Sequence, residues 1–126
     1  MGDFLRSRAH SFAYAFAGIG YLLKTQKNAW IHAVITVLVF TLGIWLAIPI
    51  QNWAILITLI GLVWAAECFN TAIETITDLF TSQPHPLAKI AKDVAAAGVL
   101  IAAICAGLVG ILILGIPLFQ KIFLSN

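Results

Sequence analysis

Charge is scarce in this chain. Asp, Glu, Lys and Arg make up 10% of its 126 residues, against roughly 25% in an ordinary soluble domain. So few charges cannot cover a globular surface, which excludes a water-soluble fold and leaves an integral membrane protein. At this length one domain is expected, residues 1–126. Cysteine is almost missing too. Cys68 and Cys105 fall in apolar segments with neither disulfide nor metal-ligand spacing, and both are expected to be small buried hydrophobes. No phosphate-cradling Walker A loop, no HRD or DFG of a protein kinase and no GxSxG is present, which excludes those nucleotide-binding and hydrolase classes. The first apolar stretch is broken by Arg6, Arg8 and His10 with no small-residue cleavage site after it, so no cleavable signal peptide is expected. No nucleic-acid partner is expected either.

What is present is hydrophobic length. A bilayer core of about 30 Å needs about 20 apolar residues in a helix, and three stretches supply them, at about 30–48, 53–80 and 88–119. The turn "PIQN" joins the first two, with Pro49 ending one helix and Asn52 placed to cap the next. Trp30, Trp45 and Trp53 lie near span ends, where interfacial aromatics belong. Six of the seven basic residues flank the first span on its N-terminal side or open the third. The positive-inside rule therefore puts the N-terminus and second loop in the cytoplasm and the C-terminus outside. Before the first span, Leu5, Ala9, Phe12, Phe16, Ile19 and Leu23 recur at 4-3-4-3-4 spacing. That stripe predicts an amphipathic helix over about 3–23, lying in the cytoplasmic interface.

The few acids are not scattered. Glu67, Glu74 and Asp78 are three of the five, and all fall within "AECFNTAIETITDL" at the end of the second span. With Glu67 at zero on a helical wheel of about 100° per residue, Asn70, Glu74 and Asp78 fall at about −60°, −20° and +20°, with Thr71 at about +40°. The result is a one-sided polar stripe over roughly 16 Å of helix. A carboxylate as deep as Glu67 costs on the order of 2–3 kcal/mol to insert and must face protein or water. Lys89, Lys92 and Asp93 share one face at the start of the third span, and Ala95, Ala96, Ala97 and Gly98 follow as small packing residues. These acids and lysines are expected to converge on one membrane-interface site. Paired carboxylates, an amide and a lysine suit Mg2+ and phosphate, with Glu67 as a general base. The residues alone leave three readings open: a phosphoryl-transfer or lipid-modifying enzyme, an ion or proton pathway, and polar packing between helices. His32 reads as an interfacial, hydrogen-bonded histidine rather than a ligand. Thr71 and Thr75 read as bonded back to their own helix.

"AECFNTAIETITDL" followed by "HPLAKIAKD" resembles the small integral-membrane diacylglycerol kinase and undecaprenol kinase family of bacteria. The shared pattern is A-E-x-x-N-[ST]-A-I-E-x-x-x-D and then A-K-D, and the likeness extends to "NAWIH" and the segment lengths. The resemblance implies an all-α membrane protein, a surface helix plus three transmembrane helices. It also implies a homotrimer with shared active sites in the bacterial cytoplasmic membrane. The activity it implies is ATP- and Mg2+-dependent phosphorylation of a membrane lipid alcohol, undecaprenol or diacylglycerol, with "HPLAKIAKD" and "NAWIH" closer to the undecaprenol branch. By motif position Glu67 resembles the general base, and Asn70 lies beside the reacting phosphate. Glu74 resembles the principal metal ligand, and Lys92 and Asp93 the nucleotide-contacting pair; Tyr14 and His85 match nucleotide-side positions. Gln26 stands where the family often has a second metal-binding glutamate, and an amide oxygen there supplies a neutral ligand. Ala13 and Ala17 stand where basic residues are frequent. These departures keep a second reading in view, a non-enzymatic membrane protein that is a cation pathway or a divergent regulatory member.

Overall fold

The computed structural model describes residues 1–81 and 83–124, which form helices almost throughout. In chain order they are α1 (Gly2–Thr25), α2 (Lys27–Trp45), α3 (Ile50–Phe80) and α4 (Pro86–Phe123). The last three are long and apolar enough to cross a bilayer, and the chain is an integral membrane protein. Their outer faces carry side chains that a soluble fold would bury: Val37 is 65% exposed and Leu112 66%. Lipid is the solvent such faces require.

Helix ends differ from the expected bounds for local reasons. α1 continues to Thr25, and Gln26 alone breaks the helix with extended backbone, φ −103° and ψ 115°. α2 therefore begins at Lys27 rather than 30, and it closes at Trp45 rather than 48. The closure is a Schellman motif, in which Ile48 N–H donates to Gly43 O at 3.2 Å and Ala47 N–H to Ile44 O at 3.1 Å. Ala47 sits at φ 50°, in the left-handed region that costs a non-glycine residue roughly 1 kcal/mol. Because that closure uses residues up to Ile48, Pro49 becomes the N-cap residue of α3. Asn52 is thus not the cap; it lies in the first turn, its N–H donating to Pro49 O at 3.0 Å. At the other end of the molecule α4 starts at Pro86 rather than 88. His85 caps it, Nδ1 accepting the Leu87 N–H at 3.2 Å, and Pro86 supplies a φ already suited to a first turn.

α3 packs most extensively along α4, while α2 leans on α3 more lightly. Near the α2–α3 turn Ile48, Leu56 and Leu114 form a small apolar core. Gly43 is required there, since a Cβ would fall 2.7 Å from the Trp53 indole. Away from the turn, α2, α3 and α4 enclose an apolar groove of about 510 Å³. α1 seats Leu22, 2% exposed, rather than Leu23 against the rest of the chain, and leaves Phe12 and Phe16 outward. The outward phenylalanines suit the expected interfacial face; the Leu5 side chain and Asp3 lie outside the described residues. Both cysteines are exposed, not buried as expected. Cys68 lines an open cleft beneath α1 with Thr71 and Thr75.

At about 1.5 Å per residue α3 spans roughly 46 Å and α4 roughly 57 Å, against a hydrocarbon core of about 30 Å. Both helices overshoot. Measured from Ile50, Glu67 lies about 26 Å along α3, Glu74 about 36 Å and Asp78 about 42 Å. The stripe therefore begins inside the apolar layer and ends beyond it.

Candidate active site

The polar stripe on α3 does not gather into a single cluster. Of its inner part, Glu74 meets the α1–α2 break, Thr71 lines a cleft with α1, and Asn70 also lines a groove with α4. Glu67 is 1% exposed, Asn70 and Thr71 are each 6% exposed, and Glu74 is half-buried. The Glu74 carboxylate is held from two sides by amides: Gln26 Nε2 donates to Oε2 at 2.9 Å, and Asn70 Nδ2 donates to Oε1 at 3.2 Å. Gln26 reaches it because the break between α1 and α2 turns that side chain toward α3. Thr71 and Thr75 bond back to the carbonyls of Glu67 and Thr71 at 2.9 and 2.8 Å, as their helical context leads one to expect.

Three buried oxygens have no hydrogen-bond partner among the described residues: both carboxylate oxygens of Glu67 and Oδ1 of Asn70. Buried polar atoms are almost always satisfied, and an unpaired buried carboxylate costs several kcal/mol. Three orphaned acceptors on one helix face, within two turns of Glu74, form a site built for something that donates or is positively charged. The oxygen set suits Mg2+, which takes one or two carboxylates and fills its remaining positions with phosphate and water. Rotating the Gln26 amide presents its Oε1 to the same point. No group of three His, Cys, Asp or Glu side chains capable of holding a metal occurs among the described residues. A metal here would therefore depend on the amides and on phosphate oxygens.

The outer part of the stripe turns to α4. Asp78 pairs with Lys92 at 2.5 Å across the two helices, and Lys89 pairs with Asp93 at 2.5 Å one turn apart on α4. With Thr81, His85 and the 83–86 loop these line an open pocket of about 720 Å³. Lys92 and Asp93 both line this pocket, each with a carboxylate or ammonium partner. Asp78 had no assigned role. Its link to Lys92 was signalled only by its membership of the stripe. His85 does two things, lining the pocket and capping α4 through Nδ1. Tyr14 is 74% exposed on α1 and stacks with His10 at 6.4 Å; it lines neither cluster within this chain.

His32 is half-buried, lines the groove between α2, α3 and α4, and is the positively ionisable group that bears on Glu67. Its signal was present: Gln26, Ala29, His32 and Thr36 recur at three- to four-residue spacing, the face of α2 that meets α3.

The family model for prokaryotic diacylglycerol kinase matches residues 13–114. The chain is 40% identical over 103 residues to an undecaprenol kinase of Bacillus subtilis, covering 82% of this chain and 84% of that protein. It is 45% identical over 111 residues to a diacylglycerol kinase of Synechocystis, covering 87% of this chain and 63% of that protein. A diacylglycerol kinase of Escherichia coli is 33% identical over 102 residues, 75% of this chain and 84% of that one.

Proposed function

This chain belongs to the prokaryotic diacylglycerol kinase family and is a lipid kinase; we propose that it transfers the γ-phosphoryl group of ATP to the hydroxyl of a membrane lipid alcohol, undecaprenol or diacylglycerol, with Glu67 as general base. The observation that carries this reading is the buried, unpartnered Glu67 carboxylate one and two turns from Asn70 and Glu74. A lipid hydroxyl is a donor that meets Glu67 from within the apolar layer, where water does not compete.

The division of the stripe matches the two phases the substrates occupy. Glu67 takes the proton of the hydroxyl, and Asn70 stands beside the oxygen–phosphorus bond being made. Glu74, with Gln26, would hold Mg2+, which when bound would supply neutralisation of phosphate charge. Lys92 exchanges its Asp78 partner for phosphate, and Asp93 and His85 bound the nucleotide side. An exposed ion pair is cheap to exchange, being worth about 0–1 kcal/mol. Tyr14, outside both clusters in one chain, fits a site completed by a neighbouring copy in a homotrimer. ATP supply and the placement of six basic residues put this end of the molecule in the cytoplasm, in the bacterial cytoplasmic membrane. A transmembrane cation pathway is not favoured: beyond Trp64 the face of α3 toward α2 is Ile60, Leu59 and Leu56, apolar toward the opposite boundary.

Transfer of label from γ-labelled ATP to a panel of lipid alcohols in mixed micelles tests the proposal. Mg2+-dependent labelling of undecaprenol or diacylglycerol is the expected result, with one of the two preferred. Mg2+ plus ATP should also raise the melting temperature in detergent, because both bind only the folded state. Ion flux through liposomes that requires Glu67, without lipid labelling, overturns it.

A further inference from the structure

We infer that His32 is the positioning residue of Glu67: its imidazole N–H donates to the Glu67 carboxylate and sets which oxygen faces the lipid hydroxyl. The inference rests on the reading of Glu67 as general base and extends it to a second helix.

The register between α2 and α3 carries the argument. Two hydrogen bonds tie the start and middle of α2 to α3, Gln26 to Glu74 at 2.9 Å and Trp64 Nε1 to Thr36 Oγ1 at 3.2 Å. Ten residues separate Gln26 from Thr36, and ten separate Trp64 from Glu74. The two bonds thus share one antiparallel register. In it, His32 stands opposite Cys68, next to Glu67. The backbone around it is fixed as well, since Thr36 Oγ1 donates to the His32 carbonyl at 2.7 Å while accepting from Trp64.

The nearby amides and lysines already have carboxylate partners. Asn70 and Gln26 both donate to Glu74, Lys92 binds Asp78, and Lys89 binds Asp93. The charged groups that bear on Glu67 are His32 and Glu74, and of these only His32 has an N–H to offer. Glu67 meanwhile has two buried oxygens without partners among the described residues. An imidazole N–H beside a buried carboxylate satisfies it at far less cost than leaving it bare. His32 also lines the apolar groove with Ile31, Val63 and Trp64, so the carboxylate it orients is turned toward the layer from which a lipid arrives. In the reaction the hydroxyl proton passes to the free oxygen of Glu67 while the alcohol oxygen bonds to the γ-phosphorus. The bond from that phosphorus to the bridging oxygen breaks, its electron pair leaving with ADP. The His32 N–H stays on the other carboxylate oxygen throughout.

The enzyme in mixed micelles decides this with His32→Ala, His32→Gln and Glu67→Gln. His32→Ala should lower kcat by about 10- to 100-fold, the range for a group that orients another, with KM for MgATP unchanged. His32→Gln, whose amide still donates, should recover most of the loss. In protein with 15N-labelled histidine, the His32 ring resonances should move in Glu67→Gln and stay in place in Glu74→Gln. Wild-type kcat in His32→Ala, or His32 resonances indifferent to Glu67→Gln, overturns the inference. Wild-type transfer by Glu67→Gln would instead remove the general-base reading, and the ring resonances alone would then decide the pairing.

Discussion

Two stretches of one helix, a single turn apart, treat their carboxylates in opposite ways. Glu67 is buried and Glu74 half-buried between amides, and Glu67 keeps two oxygens without partners among the described residues. At Asp78 the acid is 65% exposed and already paired with a lysine of the next helix. The physical difference is the surrounding medium. Inside the apolar layer a carboxylate has no water to fall back on, so an unpaired one marks a place reserved for a ligand. Outside it, water screens the charge, pairs form and break at little cost, and a lysine can move from carboxylate to phosphate. The lipid side of the reaction thus calls for a dry, preset group and the nucleotide side for exchangeable ones.

The sharpest way to break this contrast is Glu67→Gln. Phosphoryl transfer should fall by about 10²- to 10⁴-fold, the usual worth of a general base. Melting in detergent should be unchanged or higher, because the substitution removes an unpaired buried charge. Loss of stability along with activity would mean that Glu67 holds the fold rather than the reaction. Lys92→Met probes the other side. Labelling assays at varied ATP should show kcat/KM for MgATP reduced by about 10- to 100-fold, while stability shifts by less than about 1 kcal/mol. A smaller change is expected from Gln26→Glu, which would set two carboxylates where the amide now lies 2.9 Å from Glu74. The half-saturating Mg2+ concentration should drop about three- to tenfold, and without Mg2+ the melting temperature should fall through like-charge repulsion. Least of all should follow from Lys89→Ala, whose exposed partner is one turn away on the same helix: under about 0.5 kcal/mol by thermal melting.

Much of this molecule could be read from the chain. The three spans followed from apolar length, because a bilayer core demands about 20 such residues whatever they pack against. The stripe from Glu67 to Asp78 followed from spacing, since residues three and four apart share a face of any α-helix. The helix ends were less legible. Asn52 has the chemistry of a cap, yet the Schellman closure at Ala47 and Ile48 leaves Pro49 in that position.

What the sequence by itself determined, then, is which helices form, how deep they run and which residues lie along one face of α3. These are properties of one helix and its solvent. Only the tertiary structure decided how that face is shared: Glu74 to the Gln26 break, Asp78 to Lys92, and Glu67 to the buried side of α3. Partnership across helices depends on register, and register is set where elements touch. Here Gly43 admits the Trp53 ring at the α2–α3 turn, and Thr36 meets Trp64 midway along. No spacing within a single helix encodes such a relation, which is why His32 looked ordinary until α2 was laid against α3.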